Sequence, residues 1–301
     1  MSFSQDTKND LCGLSLKKRC CKVSMLYGML LFSGVFAENR IKFITETESV
    51  ANLLTGLLHS LAEVDTNLYI SEKKSKEEKD ERVNSYKLTV AVKSDVARII
   101  SLFKGNFDKI SEDVFECPAC VSSFVRGAFL AAGSVSSPKS AYHLDLTTTS
   151  EEIAAELCQI LNENALQAKN TERQGRMAVY LKDSEQIQDF LTFIGAQNAA
   201  LEMMNEKIFK DVRNNENRRS NCETANIYRT TGSSGEQTRA INKLMSDGRF
   251  EELPEDLKIT AQLRLDNPFS SLEQIALMHT PPISKSGVNH RLKKIVEISK
   301  K

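Results

Sequence analysis

The chain has no tryptophan, and aromatic residues make up only 7% of its 301 positions. A stacking platform for single-stranded nucleic acid needs flat aromatic faces and is poorly supplied here. An excess of charge of either sign is missing too: 40 Lys and Arg stand against 40 Asp and Glu, for a net charge of zero. That balance excludes a uniformly basic nucleic-acid coat and a strongly acidic solvating chain, while leaving local patches open. Long hydrophobic runs are also lacking. The longest, Met25 to Ala37, is too short to cross a bilayer. Lys17, Lys18 and Arg19 before it imitate a signal peptide, but the leading segment would be overlong and would carry Asp6 and Asp10. The run therefore reads as a buried helix, and the protein as cytoplasmic with no membrane partner. Disulfide spacing is absent as well. The cysteines Cys12, Cys20, Cys21, Cys117, Cys120, Cys158 and Cys222 are odd in number and match no small secreted framework, so reduced thiols are expected.

What the sequence does contain is an internal repeat. Residues 26–34 read Leu-Tyr-Gly-Met-Leu-Leu-Phe-Ser-Gly, and residues 125–133 read Val-Arg-Gly-Ala-Phe-Leu-Ala-Ala-Gly. At one offset of 99, Gly28 falls on Gly127, Gly34 on Gly133 and Cys21 on Cys120. Each block is apolar nearly all round, as in a helix enclosed by protein. Glycine inside a helix is unfavourable, and close approach of two helix backbones supplies a reason for it. Gly28, Gly34, Gly127 and Gly133 are therefore the candidate packing residues of a helix pair.

The elements that follow repeat as well. After the first block come an extended stretch (Ile41–Glu46), an amphipathic helix (Glu48–Ala62), two β-rich segments (Asn67–Lys73 and Tyr86–Val92) and a helix (Asp95–Phe103). After the second come Tyr142–Thr148, a helix at Glu151–Leu161, then Gln167–Arg173 and Met177–Lys182 around a tight turn at Gly175, and a helix at Ser184–Ile194. The fold class is α+β: two αββαββα units, about 23–104 and 122–196, form one pseudo-two-fold domain over 23–196. Residues 1–22 read as an N-terminal arm and 197–245 as a helical linker with a break at Gly232–Gly235. Residues 246–301 read as an all-α helix-turn-helix domain, its motif at about 270–298.

Glu236–Met245 reads as a helix at the end of the linker, Pro254–Leu265 and Leu272–His279 as helices of the last domain, and Thr280-Pro281-Pro282-Ile283 as the turn before one more. Ser284 is placed to cap it. On a helical wheel Val288, Leu292 and Ile295 form an apolar stripe, Ser286, Asn289, His290 and Lys293 lie opposite, and Lys285, Arg291 and Lys294 flank them. From Ile283 onward six basic residues (Lys285, Arg291, Lys293, Lys294, Lys300, Lys301) face one acid, Glu297. An apolar face to dock the helix and a polar, cationic face for a groove are what double-stranded DNA recognition requires. Ser284, Lys285, Ser286, Asn289, His290, Arg291, Lys293 and Lys294 are the candidate DNA-binding residues.

The paired nine-residue blocks resemble the motif of the LAGLIDADG homing endonucleases. In that family the motif helices pack at the pseudo-dyad and each carries a penultimate acid that binds the divalent metals for phosphodiester cleavage. The matching positions here are Ser33 and Ala132, so the resemblance implies a scaffold without its catalytic acids, no enzyme, no metal and no cofactor. Joined to a helix-turn-helix, the whole chain resembles the WhiA family of bacterial transcription regulators, most clearly at Phe124–Ser134, Asn221–Asn226 and Pro281–Leu292. That resemblance implies sequence-specific binding at promoters, association with the nucleoid, and a role in sporulation or in cell division and chromosome segregation. It also leaves room for a protein partner on the endonuclease-like domain. The alternative is a divergent metal-dependent homing-type endonuclease using another acid, such as Glu38 or Asp145.

Other residues carry weaker signals. Strand cations Lys42, Lys169, Arg173, Arg176 and Lys182 suit phosphate contacts or plain solvent exposure, and Glu46, Glu72, Asp145 and Glu172 dilute them. His59, His143 and His279 read as structural. Cys117-Pro-Ala-Cys120 is a lone pair of thiols, weak support for zinc or redox chemistry. Cys20 and Cys21 precede the first block, however, and four thiols converge if the two helix starts meet at the pseudo-dyad.

Overall fold

A computed structural model describes residues 2–33, 35–66, 68–74, 82–104 and 109–301. Gly34, Asn67 and the Lys/Glu-rich join at 75–81 lie outside the described residues. The chain parts into two compact units, Met1–Lys210 and Asp211–Lys301, each with its own apolar core.

The first unit opens with α1 (Phe3–Cys12), in the region expected as an arm. Its start is a capping box: Ser2 Oγ accepts from the Gln5 N–H, and Gln5 Oε1 accepts from the Ser2 N–H. Leu11 then anchors the helix in the core. The repeat follows as α2 (Arg19–Leu31), β1 (Val35–Ala37), β2 (Arg40–Thr45), α3 (Glu48–Ala62), β3 (Leu68–Lys74), β4 (Arg82–Val90) and α4 (Lys93–Ser101). It recurs as α5 (Pro118–Ala132), β5 (Gly133–Val135), β6 (Leu144–Thr148), α6 (Glu151–Glu163), β7 (Lys169–Arg173), β8 (Arg176–Leu181) and α7 (Ser184–Ile194). Both halves are αββαββα. Both sheets are antiparallel and share one strand order, β1-β2-β4-β3 and β5-β6-β8-β7.

Local chemistry explains these elements. Pro118 sits in the first turn of α5, where a missing N–H leaves no bond unmade. In β2, Ile41, Phe43 and Thr45 are buried while Lys42 and Ile44 face the other way, the period-2 pattern of a half-covered sheet. Gln174 and Gly175 both take positive φ between the paired Arg173 and Arg176, the two-residue turn whose twist suits a hairpin.

Beyond the repeat, α8 is a single helix from Gln197 to Ser246. The break expected at Gly232–Gly235 is not there. Two helical glycines cost about 1 kcal/mol each. Burial of Ser234, Gln237, Ala240, Ile241 and Leu244 in the second core holds the last turns in register. Around that end pack α9 (Glu255–Asp266), α10 (Leu272–Met278) and α11 (Lys285–Lys300). Ser271 starts α10 with a second capping box to Gln274.

Candidate nucleic-acid interface

The helix pair α2 and α5 forms the axis of the first unit. A Cβ built on Gly28 would sit 2.1 Å from Phe124 O and 2.9 Å from Ala128 N. One built on Gly127 would sit 2.1 Å from Met25 O and 2.9 Å from Met29 N. Phe124 and Ala128 are themselves 99 positions from Met25 and Met29, so each helix receives the other through the same gap. Gly133 is different: a Cβ there would meet the ring and carbonyl of Phe129 in the last turn of the preceding α5, so its packing role is not between the pair. Gly34 lies outside the described residues.

At the C-terminal ends of the pair, Ser33 and Ala132 stand together on a pocket of about 340 Å³. Its other lining residues include Lys42, Ile44, Thr147 and Arg176, and among the described residues no carboxylate contributes. Ser33 Oγ donates to Leu30 O at 2.6 Å and so closes the helix end. Glu38 is exposed in the turn after β1, and Asp145 accepts from Ser134 Oγ beside His143. Neither acid lines the pocket. The strand cations scatter over two sheets, with Arg173 and Lys182 held over the Tyr180 ring at 5.6 and 5.1 Å. His59 pairs with Asp65 on the surface.

At the opposite, N-terminal end of the pair the four thiols meet. Cys20, Cys21, Cys117 and Cys120 place their sulfurs within 4.8 Å of one another. Desolvation opposes ionisation of Cys117, yet hydrogen bonds from Cys120 and Cys21, from the backbone of Ala119 and from Cys20 draw it down to about 7. Burial, reinforced by its thiol neighbours, pushes Cys20 up to about 12.

In the second unit, α11 is seated by Val288, Leu292 and Ile295, all fully buried against α9 and α10. Ser284 caps it, its Oγ accepting from the Gly287 N–H at 3.0 Å. Ser286, His290, Lys293 and Lys294 are exposed, as is Lys285 at the start. Lys285, Asn289 and Lys293 line one wall of a cleft of about 700 Å³, with Ser233, Ser234, Glu236 and Gln237 of α8 and Arg264 of α9 on the others. Arg264 is almost wholly buried; it donates to Ser270 O at 2.7 Å, while its Nε has no hydrogen-bond partner among the described residues. Arg291 is turned away from this cleft. Its guanidinium lies 3.4 Å from the Asp256 carboxylate and also reaches Asp256 O and Thr260 Oγ1. The sequence reading missed Asp256, Thr260 and Arg264. Their spacing of four along α9 was the available signal, since it puts all three on one helix face. His279 is buried beside Thr260 Oγ1, and desolvation together with the Arg291 charge holds its pKa below the ordinary value.

Comparison with known proteins adds to this geometry. Residues 121–213 match the family model for the WhiA LAGLIDADG-like domain, and residues 217–299 match that for the WhiA C-terminal HTH domain. A protein named "Probable cell division protein WhiA" from Clostridium tetani (strain Massachusetts / E88) is 34% identical over 99% of this chain and 97% of its own length. The like-named protein of Clostridium novyi (strain NT) is 33% identical, over 99% of this chain and 98% of its own. The crystal structure of full-length DUF199/WhiA from Thermatoga maritima superposes over 100% of this chain and 98% of that one, with a TM-score of 0.59 at 26% identity. Among the described residues no helix is long and apolar enough to cross a membrane.

Proposed function

Because the chain belongs to the WhiA family, we propose that it is a sequence-specific, DNA-binding transcription regulator acting in cell division, chromosome segregation or sporulation, with an endonuclease-like half that does not cleave. The observation that carries this reading is α11: an apolar stripe locks it onto α9 and α10, and the face left over is cationic and polar. Lys285, Lys293 and Lys294 supply phosphate contacts, while Asn289, Ser286 and His290 supply short polar groups for base edges. Arg291 is assigned a structural part instead, because Asp256 already holds its charge. The carboxylate-free pocket at Ser33 and Ala132 supports the silent half, since Mg²⁺-type ions need hard oxygen ligands. A protein partner for that half belongs to the same proposal.

Binding of the full-length chain to genomic promoter fragments, measured against random duplex over a salt series, tests it. Lys293→Ala is expected to weaken both DNAs alike and to lower the salt slope by about one. Asn289→Ala is expected to lose about 1–3 kcal/mol on the specific site only. Arg291→Ala is expected to lower stability by about 1 kcal/mol and leave the sequence preference intact. Cleavage of the same fragments in Mg²⁺ or Mn²⁺, abolished by removing Glu38 or Asp145, would replace this reading with a divergent endonuclease.

A further inference from the structure

The cysteine cluster lies outside α11 and the residues assigned to DNA reading above, and its geometry is specific. Cys20 and Cys21 sit in the first turn of α2, Cys117 caps α5, and Cys120 lies one turn on. Sγ–Sγ separations from Cys117 are 3.7 Å to Cys20, 3.6 Å to Cys21 and 3.6 Å to Cys120. Four thiolates around one zinc at a Zn–S distance of about 2.3 Å stand about 3.8 Å apart at the corners of a tetrahedron. We propose that Cys20, Cys21, Cys117 and Cys120 form a closed tetrathiolate site for a single zinc ion, a staple joining the starts of the two motif helices.

Three features favour this occupant. The donors are all soft sulfur, with no imidazole or carboxylate in the set, which selects zinc over magnesium or calcium. Polynuclear iron–sulfur clusters spread their thiolates over several irons, whereas these four sulfurs all lie within 4.8 Å of one another. Charge is also provided for. A zinc tetrathiolate carries two negative charges, and the N-termini of α2 and α5 both point their partial positive ends at it. Arg126, one turn and a half further along α5, is buried and feels the Cys21 sulfur electrostatically. Its Nε donates to Ile194 O at 2.6 Å, and no carboxylate pairs with it among the described residues. A dianionic centre gives that buried cation its counter-charge.

The site is structural rather than catalytic, because four protein ligands leave zinc no open position. It is also distinct from the endonuclease metal site. Ser33 and Ala132 lie at the far ends of helices of 13 and 15 residues, roughly 20 Å away at 1.5 Å per residue. Each thiol that binds releases its proton to water, so the folded chain gains zinc and loses protons together.

The full-length chain, purified under reducing conditions without chelator, should contain about one zinc per molecule by elemental mass spectrometry. Cys117→Ser/Cys120→Ser should bring this below about a tenth, while Cys222→Ser, at an exposed position, should leave it unchanged. Reconstitution of the wild-type chain with Co²⁺ reads the site without any substitution: intense visible bands and thiolate-to-cobalt charge transfer identify tetrahedral sulfur ligation. Alkylation of the native chain should spare Cys20 and Cys117 until a chelator is added. Wild-type protein that takes up no zinc, zinc that survives the double substitution, cobalt spectra without charge transfer, or iron in place of zinc would each overturn the proposal.

Discussion

Gly28 and Gly127 show how much one missing methyl group decides. Each hydrogen stands where a Cβ would lie 2.1 Å from the opposing carbonyl oxygen, well inside any tolerable contact. Backbone cannot rotate aside as a side chain can, so Gly28→Ala must push the helix axes apart through a core that includes Tyr27, Phe124 and Phe129. The expected loss is about 3 kcal/mol or more, read from the chemical-denaturation midpoint of the full chain. Gly56→Ala, with nothing within 4 Å of its added Cβ, is the matched control and is expected to gain up to about 1 kcal/mol. This pair was legible in the sequence, because a costly residue recurring at a fixed offset in an apolar helix needs a steric reason. Gly133 was not. Its alignment was equally good, but its neighbour is Phe129 four residues before it, and no sequence offset distinguishes a local clash from one between helices.

Among elements, the second unit ties its stability to pH through the junction of α9, α10 and α11. His279 is buried beside Thr260 and Arg291, and both burial and the neighbouring cation disfavour its protonated form. The unfolded chain therefore binds this proton more readily than the folded one. Stability should be full above the ordinary histidine pKa of about 6.5 and decline as pH falls from there toward the lowered folded value. Thermal unfolding of the full chain at pH 7.5 and pH 5.5 checks this, and His279→Gln should flatten the difference. The sequence disclosed α11 through Ser284 as its cap and through the stripe of Val288, Leu292 and Ile295, and α10 as a helix at Leu272–His279, without its Ser271 capping box. It did not disclose α8. Gly232 and Gly235 are strong local breakers, and the burial that overrides them comes from residues far along the chain. Nor did the wheel show that Arg291 points at Asp256, since a wheel ranks faces but carries no partners.

For the whole molecule, the zero net charge resolves into unlike parts. The segment from Ile283 onward carries six cations against Glu297, which leaves the preceding residues acidic overall. A chain built this way gains little from coating DNA at random and depends on one concentrated surface. Removing residues 246–301 is expected to abolish DNA binding in a mobility-shift assay, whereas retained specific binding would move the reader to the two sheets. Repetition disclosed the two αββαββα halves of the first unit, whereas the strand order β1-β2-β4-β3 and β5-β6-β8-β7 depends on pairings between distant segments that repetition does not rank.

The reciprocal seating of Gly28 and Gly127 reaches beyond packing. Because Gly28 rests over Phe124 and Ala128 while Gly127 rests over their counterparts Met25 and Met29, the contact is isologous, the kind two identical subunits make across a dyad. The two halves behave as protomers that a peptide link has made permanent partners. Neither is free to shift alone: a bulkier residue at either glycine is rejected by the other half's backbone, so the seam constrains both halves at once.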